Sequence, residues 1–151
     1  MLEVNTLHDL ANYVGKSLGH GDWVLVDQDL INRFADVTGD DNWYHVDIER
    51  CKKELPGGHT IAHGLLTLSL TPVMSRGVLK VLNHGRALNY GYDRIRFTKP
   101  VVAGARVRMH MAVKGYEKQT DGAVLTRECK MEIEGESKPA MIADMLSFVY
   151  Y

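Results

Sequence analysis

Residues 62–82, AHGLLTLSLTPVMSRGVLKVL, are the stretch that decides the fold. Apolar residues occupy nearly every side of the helix that this stretch would form, which is typical of a buried helix rather than one lying on a surface. Threonine, serine, proline, arginine and lysine interrupt the stretch, so it is too polar to span a membrane. We therefore predict a long central helix from Ala62 to Leu82 that other elements must cover.

Four strand-length runs follow the predicted helix. Their apolar and polar residues roughly alternate, and turn signals at Lys99-Pro100, Asp121-Gly122 and Glu134-Gly135 separate them. The runs are Ala87–Phe97, Arg106–Glu117, Ala123–Ile133 and Ala140–Tyr150. An antiparallel sheet wrapped around the long helix would bury both, which makes the fold class α+β. Open strand edges are most simply covered by a second copy, so we expect a dimer.

The residues before the central helix predict one strand and three shorter helices. Trp23 to Val26 has the pattern of a strand. Asp27 can cap the helix that follows, because its carboxylate accepts from unpaired first-turn amides, and Gly39 is placed to end that helix. Residues Thr6–Val14 and Ile48–Leu55 are each long enough for one further short helix.

The composition excludes several classes of function. With 18 basic and 19 acidic residues the net charge is −1, so no overall field would recruit nucleic acid or an anionic membrane surface. Cys51 and Cys129 are far apart and in no metal-ligand spacing, which favours reduced thiols.

The first residues lack the pattern of a signal peptide, so we expect a cytoplasmic location. No repeat or linker divides the chain, and residues 1–151 are expected to form one domain.

The loop Asp40-Asp41-Asn42-Trp43-Tyr44-His45 is the first candidate for chemistry. A carboxylate and an imidazole five positions apart in a loop can converge on one small molecule. Histidine titrates near neutrality, and a partly buried aspartate can act as a general base. A purely structural interpretation also fits, in which Asp40 and Asp41 end a helix and form a turn while His45 caps a neighbouring element.

The second candidate is Ile61-Ala62-His63-Gly64, where the central helix begins. First-turn amides have no partner within a helix and lie at the positive end of its dipole. Because Gly64 has no side chain, a substrate oxygen could approach its N–H closely, and such an amide can stabilise a developing negative charge. Alternatively, Gly64 only permits close packing and His63 is a hydrogen-bonded core histidine.

Two histidines four positions apart, His59 and His63, could share one helix face as metal ligands do. However, Gly57-Gly58 directly before them places His59 in a loop, and no spacing indicates a third ligand. We therefore predict no metal site.

Four stretches of this sequence together resemble the MaoC-like, R-specific enoyl-CoA hydratase family. They are FADVTGDDNWYHVD (residues 34–47), IAHG (61–64), NYG (89–91) and RIRFTKPV (94–101). The resemblance runs with good specificity from about Asp27 to Val107 and more vaguely through the final strands. Within the family, the chain looks closest to the single-domain branch that includes nodulation protein N-like sequences.

This resemblance implies a hot-dog fold, in which an antiparallel sheet wraps a long helix, usually in a homodimer. It implies that Asp40 and His45 are the catalytic pair, that the Gly64 amide binds the thioester carbonyl, and that Asn42 shapes the loop beside the substrate. The family commonly has proline after this asparagine, where Trp43 stands here. Because proline restricts both itself and its predecessor, another contact must hold this loop.

The resemblance further implies hydration of trans-2-enoyl-CoA, with an acyl-CoA thioester as substrate and no cofactor besides the CoA that the substrate carries. Ser69 is our candidate for a substrate-binding hydroxyl that some family members place on the central helix. Arg94, Arg96 and Lys99 could meet CoA phosphates or form a solvated sheet face. Two alternatives stay open: a hot-dog acyl-CoA thioesterase, and a non-catalytic acyl-CoA binding or interaction protein.

Overall fold

The computed structural model describes residues 1–151, and its largest unit is a six-stranded antiparallel sheet. The strands of this sheet run in the order β2-β6-β7-β8-β5, and β3 also pairs with β6. A separate parallel pair joins β1 to β4. The strands are β1 Leu2–Val4, β2 Ser17–His20, β3 Val24–Val26, β4 Leu79–Val81, β5 Ala87–Phe97, β6 Ala105–Gln119, β7 Gly122–Ile133 and β8 Met141–Tyr150.

The helices are short, and those predicted before the central segment are confirmed. They are a 3-10 helix at Leu7–Tyr13, α1 Gln28–Thr38, α2 Trp43–Val46, α3 Ile48–Glu54, α4 Gly64–Ser69 and α5 Thr71–Ser75. The Asp27 carboxylate accepts from the Leu30 amide at 2.9 Å, and Gly39 ends α1 with a left-handed φ of 75°. None of these helices has the length and apolarity needed to cross a bilayer.

The prediction of one helix from Ala62 to Leu82 is wrong in its extent. The segment forms α4 and α5, joined at Leu70, because Pro72 has no N–H with which to continue the ladder. The Thr71 hydroxyl instead donates to the Leu68 carbonyl at 2.8 Å. A tight turn through Gly77 then ends α5, and the residues after it pair as β4 with β1.

The core lies between α4–α5 and the inner face of the sheet. Leu66 and Met74 of the helices pack with a methionine-rich set of strand residues: Met109, Met111, Met131, Met141 and Met145. A smaller cluster, which includes Leu10, Leu79 and Leu125, continues the core toward β1 and β4. The sheet thus wraps the central helical segment, which is the hot-dog arrangement that the resemblance implied.

Strand β5 forms one edge of the sheet, since it pairs with β8 alone. This edge strand exposes large apolar side chains, with Leu88 at 51%, Tyr90 at 64% and Phe97 at 47% exposure. An exposed apolar edge is the kind of surface that a second strand covers in natural proteins. The dimer itself stays a prediction.

Candidate active site

The loop that carries Asp40 and His45 is set by the end of one helix and the start of another. Gly39 turns the chain after α1, and its N–H donates to the Ala35 carbonyl at 2.8 Å. Asn42 then precedes α2, where the His45 amide donates to the Asn42 carbonyl at 2.9 Å. The two candidate side chains are therefore fixed on either side of a short turn.

Trp43 stands where the resemblance leads one to expect proline, and it holds the loop by packing. The Arg50 guanidinium lies over the Trp43 ring, 4.1 Å from its centroid. The Trp43 carbonyl accepts from the Asp47 amide at 2.8 Å and from the Cys51 thiol at 3.7 Å. Contacts from α3 thus replace the backbone restriction that a proline would supply.

The structure brings together Asp40, His45 and His63. One carboxylate oxygen and one ring nitrogen from each histidine lie within 4.8 Å of one another. The two imidazole rings are stacked, with centroids 3.7 Å apart and an angle of 24° between their planes. Sequence spacing could not show that His63, eighteen positions after His45, would lie against it.

Hydrogen bonds to backbone carbonyls decide which ring nitrogens carry protons. His45 Nδ1 lies 2.6 Å from the Ile61 oxygen, and His63 Nε2 lies 2.8 Å from the Asp40 backbone oxygen. A carbonyl can only accept, so both of these nitrogens must be protonated. When the rings are neutral, His45 Nε2 and His63 Nδ1 are left as acceptors, and His63 Nδ1 is buried without a partner.

Burial lowers the pKa of His45 below its ordinary value of 6.5. The Ile61 carbonyl and the Asp40 charge favour the imidazolium, but burial, with the neighbouring His63 as a smaller contribution, outweighs them. The His45 side chain is 5% exposed, so water does little to stabilise its charged form. The imidazole is therefore neutral near pH 7 and offers a lone pair.

Asn42 orients the carboxylate of Asp40. Its side-chain amide donates to Asp40 Oδ1 at 2.7 Å, while the Asn42 side chain makes no capping bond to α2. This arrangement leaves the second oxygen of the half-buried Asp40 carboxylate without a protein donor. Asn42 thus holds the Asp40 carboxylate, and its role beside a substrate stays a prediction.

A cleft of about 310 Å³ lies beside His45, and Gly64 lines it at the start of α4. A Cβ at Gly64 would lie 2.8 Å from Cδ2 of Phe97, whose ring forms another wall of the cleft. The absence of a side chain at Gly64 thus permits the close approach of the Phe97 ring. The first-turn amide of Gly64 has no intrahelical acceptor, and its role in binding a substrate oxygen stays a prediction.

The structure does not bring Ser69 to the cleft. Ser69 is exposed, and its hydroxyl donates to the Leu65 carbonyl of its own helix at 2.7 Å. Thr67, two residues earlier and 5% exposed, is the helix hydroxyl that lines the cleft. Sequence reasoning missed Thr67 because a two-residue shift on a helix turns the side chain to a different face.

The remaining basic and histidine candidates separate into different environments. Lys99 lines the cleft and pairs with Glu136 at 2.5 Å. Arg94 instead pairs with Asp144 at 2.6 Å, and the exposed His59 lies outside the His45–His63 cluster. The metal pair considered for His59 and His63 is therefore not formed.

The cluster of Asp40, His45 and His63 offers a carboxylate and two imidazoles, a donor set that can bind zinc. The same three side chains can instead hold a water molecule, since the His45 lone pair and the free Asp40 oxygen both accept hydrogen bonds. That no metal takes part stays a prediction from the sequence.

Three comparisons place the chain among known proteins. Residues 9–133 match the family model of the MaoC-like domain. Over 147 residues the chain is 40% identical to 3-hydroxyacyl-thioester dehydratase Z of Mycobacterium tuberculosis, covering 97% of each protein. It is 42% identical over 150 residues to nodulation protein N of Rhizobium leguminosarum bv. viciae, covering 97% of this chain and 92% of the relative. The solved R-hydratase PhaJ1 from Pseudomonas aeruginosa shares the fold, with a TM-score of 0.72 at 21% identity, over 91% of this chain and 81% of that one.

Proposed function

Since this chain belongs to the MaoC-like domain family, we propose that it adds water reversibly across the C2=C3 bond of trans-2-enoyl-CoA and yields (R)-3-hydroxyacyl-CoA. Family membership and the similarity to a 3-hydroxyacyl-thioester dehydratase support hydratase or dehydratase chemistry. The R configuration and the CoA carrier are parts of the proposal.

One observation carries the proposal. Asp40 and a neutral His45 place a carboxylate oxygen and a ring nitrogen within 4.8 Å of each other, and Gly64 lines the same cleft as His45. Hydration needs a group that takes a proton from water, and it needs a donor for the charge that develops on the thioester oxygen. The three residues supply both.

In the proposed mechanism, a water molecule donates one hydrogen to the free Asp40 oxygen and the other to His45 Nε2. Its lone pair is then directed at C3 of the substrate. As the C3–O bond forms, Asp40 takes a proton from the water, and the electrons of the double bond move toward the thioester oxygen. The Gly64 amide donates to that oxygen. The proton then passes to C2, which restores the carboxylate and completes the addition of one water.

The bond from His45 Nδ1 to Ile61 contributes to this mechanism. It fixes the tautomer whose Nε2 accepts, and the lowered pKa of His45 keeps that tautomer populated near neutrality. Stacking on His63 restrains the plane of the His45 ring. Through its bond to the Asp40 backbone, His63 also ties the carboxylate loop to the start of α4.

Two substitutions test the proposal, Asp40→Asn and His45→Gln. Each should reduce crotonyl-CoA hydration by about 10²- to 10⁴-fold, the contribution of a positioned acid–base group, while thermal unfolding stays near wild type. The assay follows the absorbance of the conjugated enoyl thioester, with and without prior dialysis against a chelator. The matched control is Asp41→Asn, since Asp41 is the exposed neighbouring carboxylate.

Wild-type rates in either variant would overturn the assignment. Release of free CoA thiol, measured with a disulfide reagent, would identify the thioesterase alternative, because hydration leaves the thioester intact. Binding of acyl-CoA with neither signal would identify the non-catalytic alternative. Loss of activity on dialysis, restored by a divalent metal, would contradict the predicted absence of a metal.

The homodimer is a further part of the proposal. The exposed apolar side chains on the free edge of β5, among them Leu88 and Tyr90, support its pairing with a second copy. Sedimentation at micromolar concentration should give the mass of a dimer. The cytoplasmic location stays a prediction.

A further inference from the structure

The hydroxyl of Thr67 is a buried polar group of the cleft that the proposed mechanism leaves unused. Thr67 is 5% exposed, and its hydroxyl oxygen lies 3.5 Å from the His63 carbonyl oxygen. Hydrogen bonds from hydroxyl groups normally span about 2.5–3.0 Å, so this contact is a weak one. The same carbonyl already accepts from the Thr67 amide at 3.2 Å. Burial of a hydroxyl without a good acceptor is unfavourable, and a bound molecule can supply that acceptor.

Other helix hydroxyls of this chain bond to the carbonyl four residues earlier at ordinary distances. The donors and acceptors are Thr38 to Phe34 at 2.6 Å, Ser69 to Leu65 at 2.7 Å and Ser75 to Thr71 at 2.8 Å. None of these three donors lines the cleft, whereas Thr67 does. The long contact in this set thus belongs to the residue at which a substrate can replace the backbone as the partner.

The thioester oxygen is assigned to the Gly64 amide, and the backbone directs the Thr67 hydroxyl elsewhere. The His63 carbonyl and the Gly64 N–H belong to one trans peptide unit, in which the two groups point in opposite directions. The Thr67 hydroxyl lies beside the carbonyl oxygen of this unit. The two donors therefore serve different oxygens of the substrate.

The other oxygen of the reaction is the one that becomes bonded to C3. In the proposed mechanism the water molecule donates its two hydrogens to Asp40 and His45, and one of its lone pairs attacks C3. Its second lone pair has no donor in that account. His45 and Thr67 line the same cleft of about 310 Å³, so one small molecule held there can contact both.

We propose that the Thr67 hydroxyl donates a hydrogen bond to the oxygen at C3, which is the attacking water during hydration and the 3-hydroxyl group of the product afterwards. The inference rests on the proposed function, because it needs the thioester at Gly64 and the water at Asp40 and His45. The bond fixes the second lone pair of the water and so directs the first at C3. The hydroxyl keeps its own proton throughout the reaction.

Thr67→Val tests this role, since it removes the hydroxyl and keeps the shape of the side chain. It should lower kcat/KM for crotonyl-CoA hydration by about three- to tenfold, the range for one neutral hydrogen bond, whereas Thr67→Ser should keep most of the wild-type value. Thermal unfolding of Thr67→Val should be no lower than that of the wild type, because the lost hydroxyl has no good partner in the protein. Thr67→Ala gives the same comparison if the valine variant does not fold.

The matched control is Ser75→Ala. The Ser75 hydroxyl makes the same kind of bond on α5, at 2.8 Å, and does not line the cleft. Its loss should leave kcat/KM unchanged. Hydration of crotonyl-CoA by Thr67→Val with the wild-type kcat/KM overturns the inference and leaves the proposed function standing.

A pair of ligands identifies the oxygen that Thr67 binds. (R)-3-Hydroxybutyryl-CoA and butyryl-CoA differ only in the 3-hydroxyl group, and calorimetry in the Asp40→Asn background measures both without turnover. Adding Thr67→Val should weaken binding of the hydroxy thioester by about three- to tenfold and leave butyryl-CoA binding unchanged. Equal weakening of both ligands, or no weakening of either, overturns the inference.

If the wild type hydrates no enoyl thioester, the proposed function fails, and the same calorimetric comparison in the wild-type background decides the inference. A loss of affinity on Thr67→Val that is confined to the hydroxy thioester supports a hydroxyl-binding role for Thr67. Unchanged affinities, or no binding of either ligand to the wild type, overturn it.

Discussion

Replacement of Gly64 by alanine tests the packing and the chemistry of the site in one change. An added Cβ would lie 2.8 Å from Cδ2, 2.9 Å from Cγ and 3.0 Å from Cε2 of Phe97. Carbon atoms in contact are separated by about 3.5–4.0 Å, so the ring or the start of α4 must move by roughly 0.7 Å. Phe97 is 47% exposed, which lets the ring give way toward solvent or into the cleft.

The expected effect on stability is small. Overpacking costs about 1–3 kcal/mol, and the low end applies because the ring is half-exposed. Alanine at a helical position regains up to about 1 kcal/mol over glycine. We therefore expect the free energy of unfolding of Gly64→Ala to stay within about 1 kcal/mol of wild type.

The expected effect on catalysis is large. Removal of one donor to a developing oxyanion costs about 10²- to 10³-fold in rate, and this sets the upper limit for displacing the Gly64 amide. A partial displacement should lower kcat/KM for crotonyl-CoA by about ten- to a hundredfold, with urea unfolding nearly unchanged. Gly85→Ala is the matched control, because no atom lies within 4 Å of its added Cβ.

The double variant Gly64→Ala/Phe97→Leu separates steric displacement from other causes. A smaller side chain at position 97 relieves the contact with the added Cβ. In the Phe97→Leu background, Gly64→Ala should therefore raise the activation free energy by less than half of the increase that it causes in the wild type. A folded Gly64→Ala with wild-type kcat/KM would refute the role of the Gly64 amide. A loss that Phe97→Leu does not relieve would refute the steric argument.

Two pH-dependent predictions follow from the lowered pKa values. The neutral form of His45 is the active one, and burial lowers the pKa of His45. We therefore expect kcat/KM to stay constant near neutrality and to fall only below pH 6.5. A decrease of kcat/KM centred above pH 6.5 would contradict this expectation. Arg108 and His110 donate hydrogen bonds to Glu132 and lower its pKa from 4.5 to about 2. These bonds to the carboxylate therefore stabilise the folded protein above pH 4.5, and their contribution is lost as the pH falls through about 2. Glu132→Gln should therefore lower the free energy of unfolding by about 1–2 kcal/mol at pH 7 and by much less near pH 2, whereas Glu134→Gln, at an exposed ion pair, should change it by less than about 1 kcal/mol.

Local sequence signals were enough to predict the helices whose ends are set by neighbouring residues. Asp27 and Gly39 bound α1 because a side-chain cap and a left-handed glycine act within a few residues. By contrast, β1 and β4 are three residues each and exist because they pair across 77 positions of sequence. No local pattern predicts such a pairing, and the apolar periodicity of residues 79–81 therefore predicts a continuation of the helix before them.

The candidate site likewise contains residues that the sequence identifies and residues that only the structure identifies. The spacing of Asp40 and His45, with its resemblance to a known family, was enough to select these two residues and Gly64. The position of His63 against His45 required the packing of α4 beside the loop. The choice of Thr67 over Ser69 depended on which face of α4 meets the cleft, and two hydroxyls so close in sequence carry no signal that separates them.

The amino-acid sequence by itself determined the fold class, the order of the main elements and the residue types available for acid–base chemistry, because periodicity, capping and spacing are properties of short segments. Tertiary structure alone decided which nitrogen of each histidine accepts a hydrogen bond and that the residues after Gly77 pair as β4 with β1. These features depend on burial and on contacts between distant segments, and both arise only when the sheet closes over α4 and α5.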